Sequence, residues 1–109
     1  MAIQIVTAPL EGLAEGWPAP TPEAVRWLAE RGIRCIATDA PTLGGVDAKE
    51  SRSVEWMAAA LGVAVVEGLT DVEAIAGSDA FFLFAPVKIA GTRGGYGRAI
   101  ALVGDAAGS

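Results

Sequence analysis

Three short apolar runs, Ile33–Thr38, Val63–Val66 and Ala80–Ala85, constrain this chain more than anything else in it. Each is too short for a helix, is rich in β-branched or aromatic residues and is bounded by turn residues, so each reads as a strand. Val63 to Val66 is almost continuously apolar, as expected of a strand covered on both faces. Helix signals separate the runs. Thr21 can cap a backbone N–H of a first turn, and Pro22 suits the first helical position because its missing donor costs nothing there. That helix is predicted to reach about Arg31, burying Val25, Leu28 and Ala29, with Gly32 ending it. Ser53 reads as the cap of a second helix, with Glu55 in its first turn, Trp56 to Leu61 continuing it and Gly62 closing it.

The remainder is read around these elements. Ile3 to Ala8 is a strand, Pro9 to Pro20 a loop, Asp39 to Ser51 a polar loop, Asp71 to Ile75 a helical turn and Arg98 to Val103 a last strand. Gly104 to Ser109 should fray, and residues 1–109 read as a single domain. Alternation of strand and helix implies parallel pairing through crossovers, hence a mixed, largely parallel α/β sheet with packed helices. In such sheets ligands bind beyond the carboxyl ends of the strands. Asp39 directly follows one strand and Glu67 the next, so both carboxylates should meet on one rim, with Pro86 and Lys88 leaving the third strand nearby.

Composition narrows the function. A net charge of −5 leaves too few Lys and Arg to neutralise a run of phosphates, which argues against nucleic acid. There is no signal-like opening and no apolar run of the roughly 18 residues that a membrane helix needs, so a cytoplasmic protein without a membrane partner is expected. With 52% hydrophobic residues and a mean hydropathy of +0.44, the chain is apolar for its size, and some of that surface should face a partner. The single cysteine, Cys35, excludes an internal disulfide; its apolar setting marks it as a packing residue. Trp17, Trp27 and Trp56 read as packing or interface residues.

Three stretches, Trp27 to Pro41, Val65 to Leu69, and Pro86 to Gly91 leading to Arg98, together resemble the C-terminal half of the cyclase-type metal-dependent hydrolases. That is the family of bacterial kynurenine formamidase and isatin hydrolase, which open amides, imides and lactones. Thr38-Asp39-Ala40-Pro41 matches its T-D-x-P turn, Glu67-Gly68-Leu69 its E-G-L segment, Pro86-Val87-Lys88-Ile89-Ala90-Gly91 its P-L-K-I-x-G segment, and Arg98-Ala99 its R-A strand. The resemblance implies half of a swivelling β/β/α domain. The family's metal motif, H-x-G-T-H-x-D-x-P-x-H, belongs to its other half, and this sequence contains no histidine.

Glu67 is the first candidate for chemistry. A carboxylate between Val66 and an apolar turn is partly desolvated, so it must be paired, protonated or metal-bound, or else serve as a structural acceptor for a nearby backbone N–H. The resemblance implies a metal ligand or acid/base role for it. Glu55 stands where dinuclear relatives carry a metal-binding histidine; alternatively it merely complements its helix N-terminus. Asp39 would shape the loop that follows it, Lys88 could polarise a carbonyl oxygen or be a solvated charge, and Arg98 begins the last strand. The Gly91–Gly97 loop lacks the endings of a phosphate-binding loop.

Two functions follow. In the first, the chain is one half of a split hydrolase acting on a small-molecule amide, cyclic imide or lactone. A second subunit supplies the H-x-G-T-H-x-D motif, and a divalent metal, Mn²⁺ or Zn²⁺, is expected in the complex but not in the isolated chain. In the second, it is a non-catalytic relative that has kept the fold as a self-associating homo-oligomer or ligand-binding module.

Overall fold

The computed structural model describes the backbone of residues 2–6 and the whole of residues 16–104. Residues 7–15, which include part of the predicted first strand and most of the loop after it, lie outside the described residues, as do residues 105–109, which were expected to fray. The chain forms two compact units divided after Val72.

The first unit is a three-stranded parallel sheet with two helices: β1 (Ala2–Val6), α1 (Pro22–Glu30), β2 (Ile33–Thr38), α2 (Ala48–Ala60) and β3 (Ala64–Val66). The order β1-β2-β3 puts β2 in the centre, with Val6 beside Thr38 on one flank and Ala37 beside Val66 on the other. Each helix is therefore the crossover between adjacent parallel strands, as the alternation required. Cys35, Ile36, Ala37 and Thr38 are all buried, so both faces of β2 are covered. The core of this unit gathers Val25 from α1, Ile36 from β2, Leu43 from the following loop, Val54 and Ala58 from α2, and Val63, with Leu28, Ala29, Ile33, Met57 and Val65 around them. Burial of an Ile or Val side chain of this kind stabilises by roughly 1.5–3 kcal/mol.

Helix α1 begins and ends where the sequence places it. Thr21 Oγ1 accepts the Ala24 N–H at 3.1 Å, and Gly32, at φ +89°, follows the last turn. Helix α2 departs from expectation: it starts at Ala48, not near Ser53, and its cap is Asp47, whose carboxylate accepts the N–H groups of Lys49 and Glu50 at 3.0 and 2.9 Å. Ser53 lies inside the helix and donates to the Lys49 carbonyl at 3.0 Å. The far end closes with the Gly62 N–H bonded to Ala59 O and the Val63 N–H to Ala58 O, the paired pattern for which a left-handed residue, here Gly62, is required. Strand β3 is half covered rather than buried on both sides: Ala64 is exposed, Val65 half-buried and Val66 buried.

The second unit holds β4 (Ala80–Pro86) and β5 (Gly97–Val103), preceded by a 3₁₀ turn at Val72–Ile75 that straddles the division. The two strands form an antiparallel ribbon from Ala80 opposite Val103 to Pro86 opposite Gly97. The third apolar run thus belongs to a sheet of its own and not to the parallel sheet. Nor is it uniformly buried: Phe82 is, while Phe81 and Leu83 are exposed. The Phe84 ring occupies the space where a side chain at Gly97 would stand, so the glycine lets the aromatic ring lie across the ribbon. Among the described residues no helix is long and apolar enough to cross a membrane.

Candidate functional site

The carboxyl ends of β2 and β3 are knitted into one rim. Thr38, buried at the end of β2, accepts the Ala40 N–H on its hydroxyl at 3.0 Å and the Leu69 N–H on its carbonyl at 3.0 Å, while the Ala40 carbonyl accepts the Gly68 N–H at 3.0 Å. The turn Gly68-Leu69 can bend back in this way because Gly68 adopts φ +70°, which a β-carbon would resist. Glu67 is the residue between β3 and that turn. Its Oε2 accepts the N–H of Leu43 at 2.6 Å, and Leu43 is buried. One carboxylate therefore ties the end of β3 to the loop that follows β2.

Glu67 as a whole residue is exposed, yet its carboxyl end is drawn against the protein. Burial of that end is the largest influence and raises its pKa above the ordinary glutamate value. The Leu43 N–H, which favours the charged form, pulls it back in part, and the nearby Glu55 carboxylate pushes it up again. Glu55 is half-buried and stands about two turns inside α2, so it does not complement the helix N-terminus; Asp47 and Glu50 hold those places. The structure thus brings Glu55 and Glu67 into electrostatic contact. Asp39 is half-buried in the same rim, one residue beyond β2.

Lys88 and Arg98 belong to the second unit. Both are exposed, Lys88 two residues past β4 and Arg98 paired across the ribbon with Ala85. β4 is not a strand of the parallel sheet, so Lys88 does not follow one of the strand ends that form the rim, contrary to the expectation from sequence. Cys35 is buried in β2, and desolvation raises its thiol pKa, as a packing residue requires. Trp17 is anchored by its indole, which donates to the Thr42 carbonyl at 2.8 Å. Trp27 is exposed under the Arg31 guanidinium, 3.5 Å from the ring centre, and Trp56 is exposed on α2.

Among the described residues no three His, Cys, Asp or Glu side chains converge as a metal site. Glu67 and Glu55 offer carboxylate oxygens, but a divalent ion needs several more ligands to replace its waters. These residues alone do not fit a complete metal centre. Two open clefts of about 600 and 580 Å³ lie beside one another in the first unit and share Ala19, Gly44, Asp47 and Glu50. Neither is lined by Glu67 or Asp39.

No family model and no curated protein matches the chain by sequence. A solved structure described as a potential metal-dependent hydrolase with cyclase activity does match in three dimensions, with a TM-score of 0.55 and 29% identity over 72% of this chain. The chain spans only 37% of that protein's length. The likeness is to a part. It supports the resemblance to the cyclase-type hydrolases read from the motifs, and the observed α/β architecture, with one parallel sheet and one antiparallel ribbon, agrees with half of such a domain. Sequence reasoning missed two residues at the rim: Leu43, whose N–H holds Glu67, and Asp47, whose cap sets where Glu55 falls along α2. Only the second left a signal, the Asp47-x-x-Glu50 spacing of a helix start.

Proposed function

We propose that this chain supplies one portion of a metal-dependent hydrolase of the cyclase type, acting on the carbonyl of a small amide, cyclic imide or lactone, and that a second polypeptide supplies the histidine-rich metal motif. The observation that carries this reading is Glu67: a carboxyl held at the carboxyl-end rim of a parallel sheet, with its proton affinity raised, in a fold that resembles part of a potential metal-dependent hydrolase. With Oε2 fixed by the Leu43 N–H, the orientation of the carboxyl is set. A carboxyl shifted upward toward neutrality can take a proton from an attacking water and return it to a leaving group more effectively than an ordinary glutamate. Burial of the carboxyl end chiefly sustains that affinity, and the like charge of Glu55 adds to it. A divalent ion, Mn²⁺ or Zn²⁺, would polarise the carbonyl; most of its ligands must come from outside the described residues. Asp39, half-buried one residue beyond β2, shapes the rim.

The test is hydrolysis of formanilide, imide and lactone substrates by the isolated chain and by the chain in complex with a histidine-bearing partner. The isolated chain should be inactive. In the complex, Glu67→Gln should lower kcat by about 10²–10⁴, the range of general acid–base catalysis, with the complex intact. Full activity of that variant would remove Glu67 from the chemistry. The second reading, a non-catalytic binding module, is favoured by one observation, that Glu67 already serves a backbone N–H. A correctly assembled complex without metal or activity would support it.

A further inference from the structure

One peptide group at the rim of the first unit is hydrogen-bonded at both ends. The carbonyl of Thr42 and the N–H of Leu43 belong to the same amide. The Trp17 indole donates to that carbonyl at 2.8 Å, and that N–H donates to Glu67 Oε2 at 2.6 Å. An amide whose oxygen accepts a bond carries more positive charge on its N–H and donates more strongly, and bonds chained in this way strengthen one another by roughly 10–30% each. Leu43 is buried, so water does little to screen the second bond. The indole N–H is the only polar hydrogen on a tryptophan side chain, and at Trp17 it is committed to this amide.

The segment that carries Trp17 is fitted along the same loop. A β-carbon at Gly16 would stand 2.9 Å from Val46 Cγ2, and one at Gly45 would stand 3.2 Å from the Ala19 β-carbon. The Thr42 hydroxyl donates to Gly45 O at 3.1 Å and so ties the turn that carries the amide. The bonds from Trp17 and to Glu67 cross 25 and 24 residues of chain, so neither follows from local backbone geometry. Two distant parts of the unit grip one amide from opposite ends.

We infer that Trp17 is a positioning residue for Glu67: acting through the Thr42–Leu43 amide, it holds the Leu43 N–H on Oε2 and so fixes the direction in which the carboxyl presents its other oxygen. A reacting group has to be held by neighbours that are themselves held, and the indole is the outer member of that support. The role rests on the reading of Glu67 as the acid/base group. The relay from indole to amide to carboxyl is a property of this chain alone, so it can be tested without any activity.

NMR of the isolated chain reads the relay from both ends. Glu67→Gln should move the Trp17 indole proton to higher field, because a neutral acceptor draws less on the amide, while the indole protons of the exposed Trp27 and Trp56 stay in place. Glu67→Asp keeps the charge but is one methylene short of Leu43, and it should move the Trp17 proton the same way, which separates the relay from a through-space effect of the charge. Conversely, Trp17→Phe keeps an aromatic ring and removes the N–H. It should quicken hydrogen exchange of the Leu43 amide by about 2- to 13-fold, the loss of one neutral hydrogen bond read as a rate. The Leu69 amide, bonded to Thr38 O at the same rim, should keep its rate. In the complex with a histidine-bearing partner, Trp17→Phe should lower kcat with KM unchanged, and by less than Glu67→Gln does. An inactive complex with both signals moved would sink the hydrolase reading alone. A Trp17 indole proton unmoved by both Glu67 variants, or a Leu43 amide exchanging at the parental rate in Trp17→Phe, would overturn the proposal whatever the activity, as would a parental kcat for Trp17→Phe in an active complex.

Discussion

Replacing Glu67 separates what its charge does from what its oxygen does. The Leu43 N–H is buried and its partner is Glu67 Oε2, at 2.6 Å. Glu67→Ala removes the acceptor and leaves a buried donor with no replacement, a loss of about 1–3 kcal/mol. Glu67→Gln keeps an oxygen at the same reach but makes it neutral. A hydrogen bond to a charged group contributes about 1.5–3 kcal/mol and one to a neutral group about 0.5–1.5, so the exchange costs on the order of 1 kcal/mol. Against this, the amide no longer suffers the desolvation and the Glu55 repulsion that oppose the charged form. The two effects oppose each other, so Glu67→Gln should stay close to the parent, while Glu67→Ala is clearly weaker.

Urea unfolding at neutral pH, followed by tryptophan fluorescence, measures both. Equal destabilisation by Gln and Ala would show that the negative charge itself holds the rim and would refute the reasoning. The pH dependence follows with a definite sign. A carboxyl whose folded pKa lies above its unfolded value contributes stability that is complete below the unfolded value and is lost as pH rises through the folded one. Stability of the parent should therefore carry a falling component from about pH 4.5 upward through the raised value, and Glu67→Gln should lack it.

Gly44→Ala should destabilise by roughly 1–3 kcal/mol in thermal or urea melts, because its β-carbon would press on the Ser51 backbone, 2.7 Å from the carbonyl oxygen, and α2 would have to move. Asp47→Ala should cost about 0.5–2 kcal/mol and fray α2 from its first turn, visible as lost helical circular dichroism. Cys35, buried and with its thiol pKa raised, should resist a thiol reagent in the native chain and react only at the rate of unfolding; fast labelling would show β2 to be open.

The legible parts of this fold are those that depend on local chemistry. Thr21-Pro22 and Gly32 bracket α1 because a cap and a left-handed residue act within one turn of the chain, and the structure places both as read. The rim was legible for a similar reason: two parallel strands in sequence, each followed at once by a carboxylate, leave Asp39 and Glu67 at the same end whatever the rest does. The start of α2 was obscured by the glycines at 44 and 45 and by Ser53, a plausible cap that instead bonds back to Lys49 O inside the helix. The run from Phe81 to Ala85 has no period-two alternation, so it looked like a strand buried on two sides. Only the antiparallel register with β5 shows Phe81 and Leu83 facing Leu102 and Ile100 on one exposed face. The Glu67 to Leu43 bond spans 24 residues and rests on no pattern at all.

The position of Glu55 bears on what the rim is for. An acceptor needed only to hold the Leu43 N–H would be best served by a neighbour that stabilises its charge, yet the neighbour supplied by α2 is another carboxylate. Like charges so placed cost stability unless a proton or a cation lies between them, and a catalytic or ion-binding rim is where such a cost is ordinarily found. The consequence can be measured. Glu55→Gln should stabilise the chain at neutral pH by roughly 0.2–1 kcal/mol, the scale of a partly exposed charge pair, and should lower the pH at which Glu67 titrates in a carboxyl-resolved NMR titration. If Glu55→Gln instead weakens the chain at neutral pH, the two carboxylates are not in conflict, and Glu67 is an acceptor for Leu43 and nothing more.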